Sequence, residues 1–321
     1  MSRDAIIHFF IAVSIIVANV VITLALCYMK NMKRTTVILL ANLALSNLPR
    51  GIMFIIKAVL FVWHVNTVEG CLFIMVFSGA PSGSYVTGIL FIYLDVYLSL
   101  KKMAIGRPVI STRLALIMAT SSWSIWLALG FLGFSMRNEN YVYNHGVGCF
   151  LQNGVYINTY ILLLCVIYIS IFIAVLIFHL MTYRLIKRSK ALSNTLQIQV
   201  QTINGHQINL RELRQKRTNW LKKNDTILKM LLLVLITFAL SWYPLIIVIL
   251  VTSFCKPCVV YITKEVVYFS YALEVIQYNS NGVIYLIKIK ECRDSCQRIC
   301  CRYLSASRQI GPSSVTANLF V

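Results

Sequence analysis

Seven stretches of this chain are too long and too apolar to sit comfortably in water. They run over residues 5–28, 36–62, 72–100, 112–135, 156–183, 227–254 and 262–287. Each exceeds the roughly 20 residues that cross a bilayer core. Lipid offers backbone N–H and C=O groups no partners, so each stretch must satisfy its own as a helix. A soluble bundle would carry a polar stripe along each helix, and the first, fourth and sixth stretches are apolar nearly all round. With 59% hydrophobic and 12% charged residues, the chain has too little charge to cover a water-facing surface. The fold class expected is all-α: a bundle of seven transmembrane helices. The first stretch starts at Ala5; it is too long for a signal-peptide core and no small-residue cleavage site follows it, so it is read as a retained span.

The net charge of +20 suggests nucleic acid until its distribution is followed. Residues 29–35 carry three Lys or Arg, 101–113 four, 184–229 eleven and the segment from Lys288 six, together 24 of the 30. These segments alternate with the others across the membrane. Positive loops mark the cytoplasmic side, which puts the N-terminus outside and the C-terminus inside a plasma-membrane protein. The excess is then a topology signal with some attraction to anionic lipid heads, and no nucleic-acid partner is expected. The organisation expected is a short outer N-terminus (1–4), the seven-span domain (5–287), a short amphipathic helix on the inner membrane face (288–302) and a disordered cytoplasmic tail (303–321). Residues 191–210 read as a polar, mobile loop, and 211–226 as an inner extension of the sixth helix.

Cysteines divide between the two sides. Cys71, Cys149, Cys255 and Cys258 fall outside, where disulfides persist. Cys255 and Cys258 are close enough to close a small loop, which leaves Cys71 with Cys149. Cys296, Cys300 and Cys301 follow the last span on the inner side, where S-palmitoylation is expected.

Polar side chains inside spans are costly, so each is a candidate functional residue. In the seventh span Tyr271, Glu274, Tyr278, Asn281 and Tyr285 recur at 3, 4, 3, 4, which is one helical face. In the second span Arg50 and Lys57 share a face with Asn47. A buried carboxylate needs a cation, so Glu274 is expected to pair with Arg50 or Lys57 at an outward-facing cavity. Two cations against one acid favour an anionic ligand. Pro81 in "SGAPSGSY" (78–85) and Pro244 in "FALSWYP" (238–244) should bend their helices, and a bend beside Trp242 and Phe238 can support two packings. No enzyme motif is present: there is no Gly-rich phosphate loop, no HExxH, and no His beside the outer cysteines to hold a metal. Neither an enzymatic activity nor a cofactor is expected.

From Asn19 to about Cys301 the chain resembles the rhodopsin-like (class A) G-protein-coupled receptors. Asn19 in "VANVVI" matches their first-span asparagine. "NLALSN" (42–47) resembles the second-span NLAxxD. Trp63, Cys71 and Asp95, the last two 24 residues apart, follow the family spacing, and Cys149 is the disulfide partner the resemblance implies for Cys71. Trp123 matches the fourth-span tryptophan, Phe238-Trp242-Pro244 the FxxCWxP switch, and "NGVIY" (281–285) NPxxY. The resemblance implies an extracellular ligand, a heterotrimeric G protein and arrestin as partners, and switch or coupling roles for Asn47, Asp95, Val96, Tyr97, Phe238, Pro244, Asn281 and Tyr285. The ligand pocket is expected among Arg50, Lys57, Ser78, Trp242, Tyr271 and Glu274, the polar residues of the spans together with Ser78 and the switch tryptophan. With Ser78 where amine receptors carry aspartate and Val275 near the opsin lysine position, a small molecule, lipid or short peptide remains as ligand.

The departures set the question. "DVY" (95–97) stands where the family has DRY, so the arginine that ties to the acid at rest and reaches the G protein when active is absent. Asn47 replaces the usual aspartate and Tyr85 a small hydroxyl residue, which removes the family's sodium site. Val175 stands at the fifth-span proline position and Gly282 at the proline of NPxxY. A non-coupling scavenger or heterodimer partner is therefore the alternative within the fold. A seven-span transporter is a third reading, against which stands the lack of an internal repeat.

Overall fold

The structure, a computed structural model, describes residues 3–29, 32–63, 68–101, 110–138, 156–200, 207–262 and 264–309, with some side chains near the segment ends left out. Its helices are α1 (Arg3–Cys27), α2 (Arg34–Trp63), α3 (Val68–Lys101), α4 (Thr112–Ser135), α5 (Asn158–Val200), α6 (Gln207–Phe254), α7 (Lys264–Lys288) and α8 (Lys290–Gln309), with a 3-10 turn at Lys256–Tyr261 between α6 and α7. Helices α1 to α6 each contain a segment long and apolar enough to cross a membrane. Helix α7 falls short of that apolarity because one face is polar: Glu274, Gln277, Tyr278 and Asn281 are all buried. It is the polar wall of the bundle.

The seven long helices close into a ring. Helix α1 packs on α2, α7 and α8; α3 touches α2, α4, α5 and α6; and α6 packs on α5 and α7. The outside is apolar. Phe10, Ile117, Leu240 and Ile287 are each more than 60% exposed, a surface that only lipid would favour. Inside, amides staple the helices together. Asn47 Nδ2 donates to Asn19 Oδ1 at 3.1 Å and to the Tyr278 carbonyl at 3.3 Å, and Asn19 Nδ2 donates to the same carbonyl at 3.0 Å. Trp123 Nε1 donates to Asn42 Oδ1 at 3.0 Å, which ties α4 to α2. In lipid such bonds replace the missing hydrophobic drive between helices. Gly83 lets α3 and α4 approach closely: a Cβ there would stand inside the Trp126 indole.

Helices α3 and α6 run through Pro81 and Pro244 without a break, and α2 through Pro49. Three boundaries differ from expectation. Residues 191–200 continue α5, α6 already starts at Gln207, and residues 303–309 belong to α8. In each case the segment is polar, so no apolar stripe betrays it, yet the helix simply propagates from an already formed turn at little cost. The segment 201–206 and residues 310–321 lie outside the described residues.

Candidate functional site

A cavity of about 150 Å³ opens in the half of the bundle that holds the Cys255 end of α6. It lies between α2 and α7 with α3 to α6 closing it, and Arg50, Lys57, Ser78, Trp242, Tyr271 and Glu274 all line it. Arg50 is its centre. The guanidinium Nη2 lies 3.2 Å from Glu274 Oε1 and donates to Ser82 Oγ. The guanidinium carbon stands 5.7 Å from the Trp242 ring centre and 5.2 Å from that of Tyr278. Tyr278 in turn donates its hydroxyl to the Glu274 carboxylate. The pair is thus solvated by protein: two hydroxyls and two ring faces supply what water would have supplied, without which the buried ions would be costly. Arg50 Nε is buried with no hydrogen-bond partner among the described residues. Lys57, two helical turns further toward the cavity mouth, rests its ammonium 5.5 Å from the Phe54 ring centre.

Of the aromatic row below this cavity the sequence marked Trp242, Phe238 and Tyr85, and missed Trp126 and Tyr168. Trp126 packs on Tyr168 at 4.9 Å, Tyr168 on Trp242 at 5.7 Å, Trp242 on Phe238 at 5.8 Å and Phe238 on Tyr85 at 5.9 Å between ring centres. Tyr85 then donates its hydroxyl to Asn281 Oδ1 at 2.7 Å. A continuous row of rings therefore runs from the cavity to the middle of α7. Asn47 and Tyr85 are neutral groups here, Asn47 bonded to α1 and α7 and Tyr85 to α7. Pro244 is half-buried two residues after Trp242, and Tyr285 is fully buried with a hydroxyl that has no hydrogen-bond partner among the described residues. Fifth-span tyrosines such as Tyr168 gave no sequence signal apart from their aromaticity among aliphatic neighbours.

At the other end of the bundle, Asp95 is buried and its carboxylate is fully engaged. Thr36 donates to Oδ2 at 3.0 Å and Lys33 to Oδ1 at 3.2 Å. Lys33 also donates to Ser99 Oγ at 2.6 Å. The cation that holds this acid therefore comes from the turn before α2, rather than from the neighbouring residue or the basic 184–229 segment. Val96 is 2% exposed and belongs to the apolar core, and Tyr97 sets its ring edge-on to Phe178 at 5.7 Å. Helix α6 is tied to its neighbours at Lys223 and Asp225, some way in from its Gln207 end. Lys190 of α5 pairs with Asp225 at 3.0 Å, and Lys223 pairs with Glu291 of α8 at 3.3 Å.

Cys255 and Cys258 are disulfide-bonded across the start of the 3-10 turn. Cys149 and the side chain of Cys71 lie outside the described residues, as do the side chains of Cys300 and Cys301. On α8, Cys292 is fully buried and burial pushes its thiol up to about 11, so it stays protonated and unreactive at neutral pH. Cys296 is half-buried one turn on. No cluster of three His, Cys, Asp or Glu able to hold a metal occurs among the described residues. Residues 18–285 match the family model described as 7 transmembrane receptor (rhodopsin family).

Proposed function

The chain belongs to the rhodopsin family of seven-transmembrane receptors, and from that premise we propose that it binds an extracellular ligand in the Arg50–Glu274 cavity and signals to a heterotrimeric G protein. It is a multi-pass membrane protein, and no catalytic step is assigned to it. In the proposed orientation the cavity and the Cys255–Cys258 bond face outward, and α8 and the basic segments face the cytoplasm, in line with the distribution of Lys and Arg. The observation that carries the reading is the row of rings. A ligand that displaces Trp242 must disturb Phe238 and Tyr85, and with them the Tyr85–Asn281 bond between α3 and α7. Two packings of that row would give the bistable element that a switch requires. Arrestin is a further proposed partner at the cytoplasmic face, and Cys296, Cys300 and Cys301 are proposed acylation sites beside the membrane.

A second reading rests on Val96, which is buried where the family's arginine would reach the G protein. A receptor without that arginine can bind ligand and not couple, as a scavenger or a heterodimer partner would. The deciding measurement is G-protein activation by wild type and Val96→Arg at matched surface amount, first without ligand and then with a ligand panel. Activation by wild type supports coupling without the arginine. Silence of wild type with signalling by Val96→Arg supports the non-coupling reading.

A further inference from the structure

We infer that the cavity contains an anion subsite at Lys57 and takes a small monoanion with a ring-sized apolar body. The inference rests on the reading of this cavity as the ligand site. The charged side chains in its lining are Arg50, Lys57 and Glu274. Arg50 and Glu274 neutralise each other at 3.2 Å. That leaves Lys57, which makes no ion pair among the described residues: it shares the field of Glu274 with Arg50 and rests its ammonium 5.5 Å from the Phe54 ring centre. Two cations sharing one carboxylate leave the lining with a positive charge in excess, which is costly away from water, and an anion in the cavity removes that cost. A second group points the same way. The Arg50 Nε–H is buried without a hydrogen-bond partner among the described residues, on a residue that lines the same cavity, a donor left over after the guanidinium has bonded Glu274 and Ser82.

The rest of the wall defines the body of the ligand. Leu164, Leu245 and Ile249 are apolar, and an apolar cavity of about 150 Å³ is the size that accepts a benzene ring. The charge balance of the lining sets the limit: two cations against one carboxylate leave one positive charge to be met, by a single negative group on the ligand. A cationic ligand fares worse, because Glu274 is already paired and Lys57 repels it. The class this selects is an aryl or comparably sized carboxylate or sulfonate.

The test uses the full chain in lipid nanodiscs and three probes with one ring and different charge: benzoate, benzyl alcohol and benzylamine. Thermal unfolding followed through tryptophan fluorescence reports binding without any G protein. Benzoate is expected to raise the unfolding temperature in a saturable way, benzyl alcohol to do so less, and benzylamine not at all. Lys57→Gln is expected to weaken benzoate by about tenfold or more and to leave benzyl alcohol unchanged, while Lys57→Arg keeps the benzoate preference. The subsite is overturned if benzylamine or benzyl alcohol binds as well as benzoate, if no probe binds, or if Lys57→Gln leaves benzoate binding intact. Should Lys57→Gln fail to fold, the order of the three probes on wild type decides alone. Benzoate binding without G-protein activation would remove the signalling reading and keep the subsite. Signalling to some other ligand, with benzoate inert, would do the reverse.

Discussion

Asp95 shows how one side chain can keep its place after its expected partner is gone. Its side chain is 2% exposed and that of Lys33 36%, so the acid depends on the lysine far more than the reverse. Lys33→Met is expected to destabilise the receptor by about 1–3 kcal/mol, because it leaves a buried carboxylate with a lone hydroxyl donor. Asp95→Asn on top of Lys33→Met should recover much of that loss, since the neutral amide needs no cation. A double-mutant cycle on thermal unfolding in nanodiscs checks both; additivity of the two changes would show that the residues are not coupled. Sequence made Arg50 and Glu274 legible because a charge within an apolar span is conspicuous. It hid Lys33, which sits in a polar turn among other cations and counts there only toward topology. Its reach to Asp95 is a property of how α2 packs on α3, and no spacing rule encodes that distance.

At the level of elements, the contact of α3 with α4 depends on a missing side chain. Gly83→Ala would drive a methyl group into the Trp126 indole, and neither helix backbone can yield without opening the pair. Expected is a loss of more than about 2 kcal/mol, seen as reduced surface expression and a lower unfolding temperature. Trp126→Phe in the same chain should restore part of it by making room, though it loses the indole bond to Thr87 Oγ1 at 2.9 Å. The presence and order of the seven long helices were legible, since length and apolarity are properties of the chain itself. Helix α7 was legible for a different reason: its polar residues repeat at helical spacing. The ends were not. The Val200 end of α5 and the Gln207 end of α6 are solvent-type sequence, and a polar helix carries no stripe to separate it from a polar loop.

For the molecule as a whole, the ties of α6 decide what must break for it to move. They run to α5 through Lys190–Asp225 and to α8 through Lys223–Glu291. Both lie near the surface, with side-chain exposures of 44%/19% and 37%/31%, so each is worth up to about 1 kcal/mol and weakens with salt. Glu291→Lys is expected to shift the α6 end outward by up to about fivefold in population, and Lys223→Glu added to it should reverse the shift. Spin-label distances between the inner ends of α6 and α8 measure this, and an unchanged distribution in Glu291→Lys would remove the tie from the account. The anchoring of Asp95 by Lys33 also orders the steps by which such a chain can arise. Replacing an arginine by valine at position 96 in a chain that lacks Lys33 would strand the acid, and the intermediate would fold poorly. With the lysine already present, the same replacement is nearly silent for folding. The lysine thus frees position 96 from the duty of neutralising Asp95, so that a residue chosen there for its effect on signalling need not carry charge.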